Sequence, residues 1–293
     1  CDDTLKLLED KYPNLYHTFI PDSARYISHK KLGITMGIKA SRHEWLVFTE
    51  PNCRPQSNQW LKQMARNFTP ATEIVLGYSN YEKVPGWLNK KITFDTLLNS
   101  MRYLGMALSG HPYMGTGRNL AYRKTLYYKQ KGFASHLNLQ RGEDDLFINE
   151  TAHAHNTRVE TGSDSLMRIA MPKYKKIWCE EKISYAATSR LFKGTARYIM
   201  GFETCSRLLF YAAIIATIII GILLHQWTTL GIAILLWAAR FVMQLIVFRK
   251  TAKTLGERKF CALLPVFDFL QPIWNGVFKL QRKLRRKNEF MRK

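Results

Sequence analysis

Two adjacent apolar runs near the carboxyl end constrain most strongly what this 293-residue chain can fold into. Residues 208–224 carry no charge, and residues 227–248 form a second run that is interrupted only by Arg240. A helix needs roughly 17 to 25 mostly apolar residues to cross a bilayer, and a short turn at residues 225–229 joins the two runs. We therefore predict a hairpin of two transmembrane helices, with a hairpin buried in a protein core as the alternative.

Basic residues predict the orientation of this hairpin. The turn carries no Lys or Arg, whereas the second run is followed directly by Arg249, Lys250, Lys253, Arg258 and Lys259. Cytoplasmic loops carry an excess of Lys and Arg, so we expect both flanks of the hairpin, and the domain before it, on the cytoplasmic side of an inner (cytoplasmic) membrane. Because a charge is costly in lipid, Arg240 is expected to face protein or water inside the bundle.

The segment after the hairpin is apolar but interrupted. Residues 260–280 are broken by Pro265, Asp268, Pro272 and Gly276. This pattern favours a segment that lies in the membrane plane or re-enters it over a third crossing. The basic stretch at residues 281–287 then predicts a contact with anionic lipid, with a solvated tail as the alternative.

The chain as a whole is strongly basic, with 44 Lys and Arg against 22 Asp and Glu and a formal net charge of +22. This charge suits nucleic acid, an anionic membrane surface or a phosphorylated substrate. The basic residues cluster beside the apolar runs and do not interleave with aromatic residues on one soluble face, so we expect no nucleic-acid partner. With 46% apolar residues, the chain also has too much hydrophobic content for a disordered polycation.

The first 80 residues alternate between helical and strand-like patterns. Helices are predicted at residues 4–10, at 30–40 and from Ser57, as an N-cap, to about residue 68; strands are predicted at 16–20, 45–49 and 74–78. Such alternation is typical of an α/β fold with a mostly parallel sheet and helices on both faces. A long amphipathic helix at 87–108 and a glycine-rich loop at 110–117 follow.

Two groups of oxygen-bearing side chains are candidates for chemistry. Glu50 and Asn52 follow a predicted strand, at the end where α/β folds bind ligands. Their oxygens suit a hard divalent cation that neutralises a diphosphate; a turn closed by the asparagine side chain is the alternative. Glu143, Asp144 and Asp145 are adjacent carboxylates at a predicted helix start, where one could act as a general base. A helix N-terminus that merely favours acidic residues is the alternative there.

A third candidate is the loop at 110–117 with the residues that follow it. Its glycines allow the backbone to approach a ligand closely. Arg118 and Asn119 offer hydrogen-bond donors for phosphate or sugar hydroxyls. A glycine-rich loop of this kind is common in turns, so the loop gains meaning only together with the other two candidates.

The order of these features resembles that of the family 2 glycosyltransferases, which are membrane-associated and have the GT-A fold. An acidic strand end, a G-x-G-R-N loop, a G-E-D-D-L segment and paired membrane helices follow in the family's order. Residues 30–37, K-K-L-G-I-T-M-G, are similar to the family's K-x-x-A-L-N-x-G helix, and residues 49–55, T-E-P-N-C-R-P, stand where members carry T-D-A-D-C-x-P. The resemblance implies a GT-A-like (Rossmann-like) domain at 1–200, a transmembrane hairpin at 201–250, and an amphipathic or re-entrant segment with a polybasic tail at 251–293.

The same resemblance implies a reaction and roles for individual residues. The expected reaction moves a sugar from a nucleotide-diphosphate donor, with inversion, to a hydroxyl of a lipid-linked acceptor (a glycolipid) or of a saccharide such as a cell-envelope polysaccharide. Asp144 is the implied catalytic base, and Glu50 and Asn52 are the implied ligands of Mg²⁺ or Mn²⁺. Donor binding is implied for Lys30, Glu50, Asn52, Gly117, Arg118, Asn119 and Glu143.

Three departures from the family pattern bear on these roles. Both aspartates of the usual D-x-D are replaced, by Glu50 and Asn52, so metal affinity is expected to be lower. Where the family's Q-x-x-R-W falls, the chain has Glu181, Ser184 and Tyr185 without the arginine, which favours single transfer over processive synthesis. The chain also begins at a stretch similar to the one after the family's second strand, so the first strand is expected to be missing. A catalytically degenerate, glycosyltransferase-like binding or scaffold protein is therefore the alternative function.

Overall fold

A computed structural model describes residues 2–17, 20 and 28–285 of the chain. Along these residues the strands are β1 (Trp45–Phe48), β2 (Cys53–Pro55), β3 (Ile74–Gly77), β4 (Ser79–Tyr81), β5 (Leu120–Arg123), β6 (Thr157–Glu160) and β7 (Met167–Ile169). The α-helices are α1 (Asp2–Lys11), α2 (His29–Ala40), α3 (Trp60–Ala65), α4 (Trp87–Leu108), α5 (Lys124–Lys129), α6 (Asp145–Thr151), α7 (Lys175–Thr188), α8 (Ala196–Leu223), α9 (Trp227–Thr254) and α10 (Leu264–Leu284).

The described strands form two small mixed sheets. In the first sheet the order is β1-β5-β3-β6, with β5 antiparallel to both of its neighbours and β3 parallel to β6. In the second sheet the order is β2-β7-β4, with β7 antiparallel to β2 and parallel to β4. The expectation of a mostly parallel sheet is therefore wrong for the described strands, because three of the five pairings are antiparallel.

Strand β5 is the reason for this difference. It follows α4 and the glycine-rich loop, and it enters between β1 and β3 with Leu120 opposite both Phe48 and Leu76. The alternation that suggested a parallel sheet lies within the first 80 residues. It carries no information about a strand that is inserted from much later in the chain. Whether neighbouring strands run parallel or antiparallel therefore depended on long-range pairing.

Helices cover the first sheet on both faces, as expected. Successive side chains of a strand point to opposite faces. Val75 of β3 and Ala121 of β5 therefore share one apolar cluster with Met64 of α3. Their neighbours Ile74 and Tyr122 point the other way, into the large core that α4 and α6 complete.

Most of the predicted helices are confirmed, and one is shorter than expected. The helices predicted at residues 4–10, 30–40 and 87–108 correspond to α1, α2 and α4. Helix α6 begins at the acidic segment, with Asp144 as its N-cap. α3 spans only Trp60–Ala65. Ser57 does not cap it, because the Ser57 hydroxyl accepts a hydrogen bond from the Gln59 N–H in the preceding turn (3.2 Å). Of the predicted strand at 16–20, residues 18 and 19 lie outside the described residues, and residues 16, 17 and 20 are not in a strand.

Helices α8 and α9 form the hairpin that the apolar runs predict. Both are long and apolar enough, by length and composition, to cross a membrane. Their most apolar 18-residue windows are only 11% and 6% buried, whereas a hairpin inside a protein core would be mostly buried. The two helices approach closely at their connection, where a Cβ on Gly221 would lie 3.1 Å from Thr229 Oγ1.

Helix α10 is continuous where the sequence indicated an interrupted segment. Pro265 lies in its first turn, where the N–H has no partner within the helix, and Pro272 is accommodated inside it. The ring centroid of Phe267 on α10 lies 4.9 Å from that of Phe94 on α4, and the ring centroid of Phe248 on α9 lies 5.4 Å from that of Phe94. One hydrophobic cluster therefore joins the sheet domain to α9 and α10. Of the predicted polybasic tail, residues 286 and 287 lie beyond the described part.

A buried aspartate on α10 holds the two long helices. Asp268 is 3% exposed, and its carboxylate lies 3.2 Å from Arg207 Nη1 on α8 and 3.3 Å from Arg240 Nη2 on α9. The Tyr211 hydroxyl donates a hydrogen bond to the same carboxylate at 2.7 Å. Arg240 was expected to face protein or water inside the bundle, and it faces protein, because Asp268 balances its charge there.

Replacing Asp268 with asparagine should destabilise the fold, because Arg207 and Arg240 then lose their shared carboxylate. Breaking a buried ion pair costs about 3 to 5 kcal/mol, and each kcal/mol lowers the melting temperature of a chain this size by about 2 to 4 °C. We expect the melting temperature of the full chain in detergent to fall by roughly 6 °C or more. The control is Glu180→Gln, which removes the more exposed pair with Arg285 and should lower the melting temperature by less than about 4 °C. Equal shifts in the two variants would contradict the role given to Asp268.

Candidate active site

Glu50 is held between two basic side chains just after β1. Its Oε1 lies 2.7 Å from Lys30 Nζ, and its Oε2 lies 2.9 Å from Arg118 Nε. Lys30 comes from the first turn of α2. Arg118 comes just before β5, whose first residue, Leu120, pairs with Phe48, the last residue of β1. The antiparallel pairing of β1 and β5 thus brings Glu50 and Arg118 together.

The two basic side chains keep Glu50 ionised. Burial by itself would raise the pKa of Glu50, but the charges of Arg118 and Lys30 lower it to about 2. Burial also opposes the charge of Lys30, yet the carboxylates of Glu143, Asp144 and Glu50 raise the pKa of this lysine. Lys30 Nζ lies 2.8 Å from Glu143 Oε1. Glu50 and Lys30 are therefore both charged at neutral pH.

Arg118 connects this cluster to α7. It is 8% exposed, and its Nη2 lies 2.5 Å from Glu181 Oε1. The Tyr81 hydroxyl donates a hydrogen bond to Glu181 Oε2 at 3.1 Å. Burial opposes the charge of Arg118, but Glu181 above all raises the pKa of this guanidinium. The sequence marked Glu181 only as a departure from the Q-x-x-R-W pattern and did not place it at the site.

Asp144 stands beside this cluster at the start of α6. Its Oδ2 accepts a hydrogen bond from the Gly117 N–H at 2.9 Å, and its Oδ1 accepts one from the Asp145 N–H at 2.8 Å. Burial, and then the charge of Glu143, raises the pKa of Asp144. Burial and the charge of Asp144 likewise raise the pKa of Asp145, which accepts a hydrogen bond from the Thr188 hydroxyl. A carboxyl group with a raised pKa suits a general base that works near neutral pH.

The two predicted carboxamides do not join this cluster. Asn119 is buried, and its side chain bonds only to protein groups: Nδ2 donates to the carbonyls of Tyr78 (2.9 Å) and Ser165 (2.8 Å), and Oδ1 accepts from Trp60 Nε1 (3.0 Å). Asn52 is exposed, and its backbone carbonyl accepts a hydrogen bond from the N–H of residue 170. Asn119 therefore fixes the loop that carries Arg118, while Asn52 lies at the surface.

The residues at the predicted metal position do not fit a divalent cation in this arrangement. Both oxygens of Glu50 are paired with Lys30 and Arg118. Within the described ranges, no group of three or more His, Cys, Asp or Glu residues is placed to hold a metal ion. Two fixed positive charges thus stand where the sequence pattern suggested a cation.

A cavity of about 620 Å³ opens beside the charged cluster. Arg118, Asp145 and Glu181 line one end of it, and α4, α7, α8 and α10 form its sides. Ligand sites in proteins commonly have volumes of about 300 to 1,000 Å³. The cluster and the cavity therefore form one connected site.

Comparison with known proteins identifies the fold. No family model and no curated protein matches the sequence. The structure is similar to that of the mannosyltransferase PcManGT from Pyrobaculum calidifontis, solved in complex with GDP-Man and Mn²⁺, with a TM-score of 0.52 and 14% sequence identity over 95% of this chain and 74% of that chain. At this identity the similarity concerns the fold, so the chain has the fold of a solved glycosyltransferase.

The two carboxamides should respond differently to truncation. Asn119→Ala removes three hydrogen bonds, two of them to buried carbonyls, so we expect it to lower the stability of the full chain by about 2 to 4 kcal/mol. Asn52→Ala, at an exposed position, is the matched control and should stay within about 0.5 kcal/mol. Thermal or denaturant unfolding in detergent measures both. A loss for Asn52→Ala as large as that for Asn119→Ala would contradict this assignment.

Proposed function

We propose that this protein is a membrane-bound, inverting glycosyltransferase that moves a sugar from a nucleotide-diphosphate donor to a hydroxyl acceptor. One observation carries the proposal. In a fold shared with a solved mannosyltransferase, the positively charged Lys30 and Arg118 meet at Glu50. Asp144, a buried carboxyl group with a raised pKa, binds the N–H of Gly117, the residue before Arg118. This combination provides positive charge for a diphosphate and a proton acceptor for a hydroxyl.

Lys30 and Arg118 are the groups that suit the donor diphosphate. Both are bound to the carboxylate of Glu50, and a diphosphate oxygen can take the place of a carboxylate oxygen on an ammonium or a guanidinium. Positive charge fixed at the site, where Arg118 is buried and Lys30 is more exposed, stabilises the charge that develops on the leaving diphosphate. The mannosyltransferase of similar fold was solved with Mn²⁺, so Mg²⁺ or Mn²⁺ remains the alternative source of that charge.

Asp144 is the proposed base. Each of its oxygens accepts one backbone N–H, which leaves lone pairs free for a hydroxyl proton. As the proton passes to Asp144, the acceptor oxygen bonds to the anomeric carbon of the sugar, and the bond from that carbon to the diphosphate oxygen breaks. Attack from the side opposite the leaving group inverts the configuration of the sugar.

The proposed membrane setting rests on α8 and α9. Their length and composition suit two membrane crossings, and the basic residues after α9 favour a sheet domain on the cytoplasmic side of an inner membrane. Glu181 binds Arg118 and stands where processive family 2 glycosyltransferases are expected to carry the Q-x-x-R-W motif. This difference favours one sugar transfer per acceptor. Glycolipids and envelope polysaccharides are the acceptor classes that this setting supports.

A glycosyltransferase-like binding or scaffold protein is the second candidate, and one observation favours it. Glu50 and Glu181 already neutralise Arg118, and Glu50 and Glu143 neutralise Lys30. A closed set of ion pairs of this kind holds the site together without a ligand. Turnover therefore separates the two candidates.

Asp144→Asn should abolish transfer while leaving donor binding intact. Loss of a general base lowers the rate by about 10²- to 10⁴-fold, whereas asparagine keeps an oxygen that accepts the Gly117 N–H. Radiolabelled sugar transfer by membranes that contain the protein measures the first effect, and nucleotide-sugar binding measures the second. The exposed substitution Asp10→Asn is the control. Undiminished turnover in Asp144→Asn refutes the base, and donor binding without turnover in the unmutated protein favours the binding role.

Transfer should depend more on Lys30 than on a divalent cation. We expect EDTA to lower the transfer rate less than about tenfold, whereas Lys30→Gln should lower it about tenfold or more, because a hydrogen bond to a charged group contributes roughly 1.5 to 3 kcal/mol. Lys129→Gln, at an exposed position on α5, is the control. Complete loss in EDTA that Mn²⁺ or Mg²⁺ restores would show instead that a metal supplies the charge.

A further inference from the structure

The cavity beside the charged cluster is buried at one end and exposed at the other. At the inner end Arg118 and Asp145 are at most 8% exposed. The other end, which we call the basic mouth, is lined by Arg190, Arg197, Lys279, Arg282 and Lys283. All of these are exposed except Arg282, which is half-buried. The cavity thus leads from the protein surface to the proposed catalytic centre.

The basic mouth has positive charge without matching negative charge. In the part of the chain that the structure describes, none of its five side chains forms a salt bridge. Asp95, an acidic residue of the cavity wall, is paired with Lys182. Burial, and then the nearby charge of Arg190, lowers the pKa of Arg282, and Arg282 Nε is buried with no hydrogen-bond partner among the described residues. Two guanidinium groups that repel each other in this way would be stabilised by an anion between them.

The wall between the two ends is mostly apolar and rich in aromatic rings. It includes Tyr103, Tyr113, Trp178, Phe192 and Phe278. Aromatic faces suit the apolar faces of sugar rings as well as hydrocarbon. A wholly ionic ligand would gain little here, so the wall favours a ligand with both polar and apolar surfaces.

The basic mouth lies where a bilayer surface is expected. Its α8 side is formed by the first turns of that helix, before the apolar run that begins at residue 208. Its α10 side belongs to a helix with an exposed apolar stripe, formed by Val266, Phe269, Ile273, Val277, Leu280 and Leu284. An amphipathic helix with such a stripe lies in the membrane interface. A lipid can therefore reach the basic mouth from the bilayer.

We propose that this cavity binds the sugar acceptor, and that the acceptor is a membrane lipid with a phosphate-containing, hydroxyl-bearing headgroup. The phosphate lies between Arg190 and Arg282, the hydrocarbon chains remain in the bilayer beside α8, and the hydroxyl end of the headgroup extends along the aromatic wall. The wall residues Thr116 and Arg118 flank Gly117, whose N–H binds Asp144, so the hydroxyl arrives next to the proposed base. This inference rests on the proposed function and assigns its acceptor to anionic lipids instead of polysaccharides.

Lipid binding by the full chain in detergent tests the proposal without any need for turnover. Native mass spectrometry would count bound phosphatidylglycerol and, as the zwitterionic comparison, phosphatidylcholine with the same acyl chains. The test variant is Arg190→Gln with Arg282→Gln. The matched control is Lys250→Gln with Lys253→Gln, which removes two exposed charges from the end of α9, outside the cavity. Gly201→Leu is a second test, because nothing lies within 4 Å of a Cβ added there and the new side chain would narrow the cavity.

We expect one saturable phosphatidylglycerol site that binds at least about tenfold more weakly in the arginine double variant and in Gly201→Leu. The control pair should bind like the unmutated protein. Equal binding of the two lipids, or unchanged binding in both test variants, would overturn the proposal. Competition by inorganic phosphate as effective as competition by the lipid would also overturn it, in favour of a free-anion site. If lipid binding behaves as expected but no donor supports transfer, the proposed function fails while the lipid site stands.

Discussion

A buried guanidinium requires acidic partners, and the site is organised around the two that Arg118 finds. Glu50 binds it from the end of β1, and Glu181 binds it from α7. Removing water from these charges is costly, and the cost is offset only when the geometry pairs all of them. The positions of the glycine-rich loop, of β1 and of α7 are therefore linked through one side chain. Lys30 extends the same network to the acidic segment before α6.

The resemblance to family 2 glycosyltransferases implies a pair of aspartates, D-x-D, where this chain has Glu50 and Asn52. A pair of aspartates concentrates negative charge that needs a cation. Here Glu50 is matched by two basic side chains, and Asn52 is turned to the surface. The positive charge at the site is consequently built into the chain. In the proposed function, a phosphate group of the donor can replace Glu50 on these side chains, because a phosphate oxygen can take the place of a carboxylate oxygen on either Lys30 or Arg118.

The helical half of the molecule forms the open end of the cavity. Asp268 binds arginines of both long helices, and the phenylalanine cluster around Phe94 fixes α9 and α10 against the sheet domain. Held in this way, α10 exposes an apolar stripe on one side and closes the cavity on the other. In our proposals, membrane attachment and access to the catalytic centre therefore depend on the same helix.

The sequence by itself determined the hairpin, most of the helices and the charged residues of the site other than Glu181, because hydrophobic runs, helical periodicity and residue chemistry are local properties. It also indicated that Arg240 would face protein or water and not lipid, since the cost of a charge in lipid requires this in any fold. Only the tertiary structure decided that β5 enters the sheet antiparallel, that Glu181 joins Arg118, and that Asn119 is used to fix a loop. Each of these depends on partners far apart in the chain, and the free energy of burying a charge or an amide depends on which partner the fold brings to it.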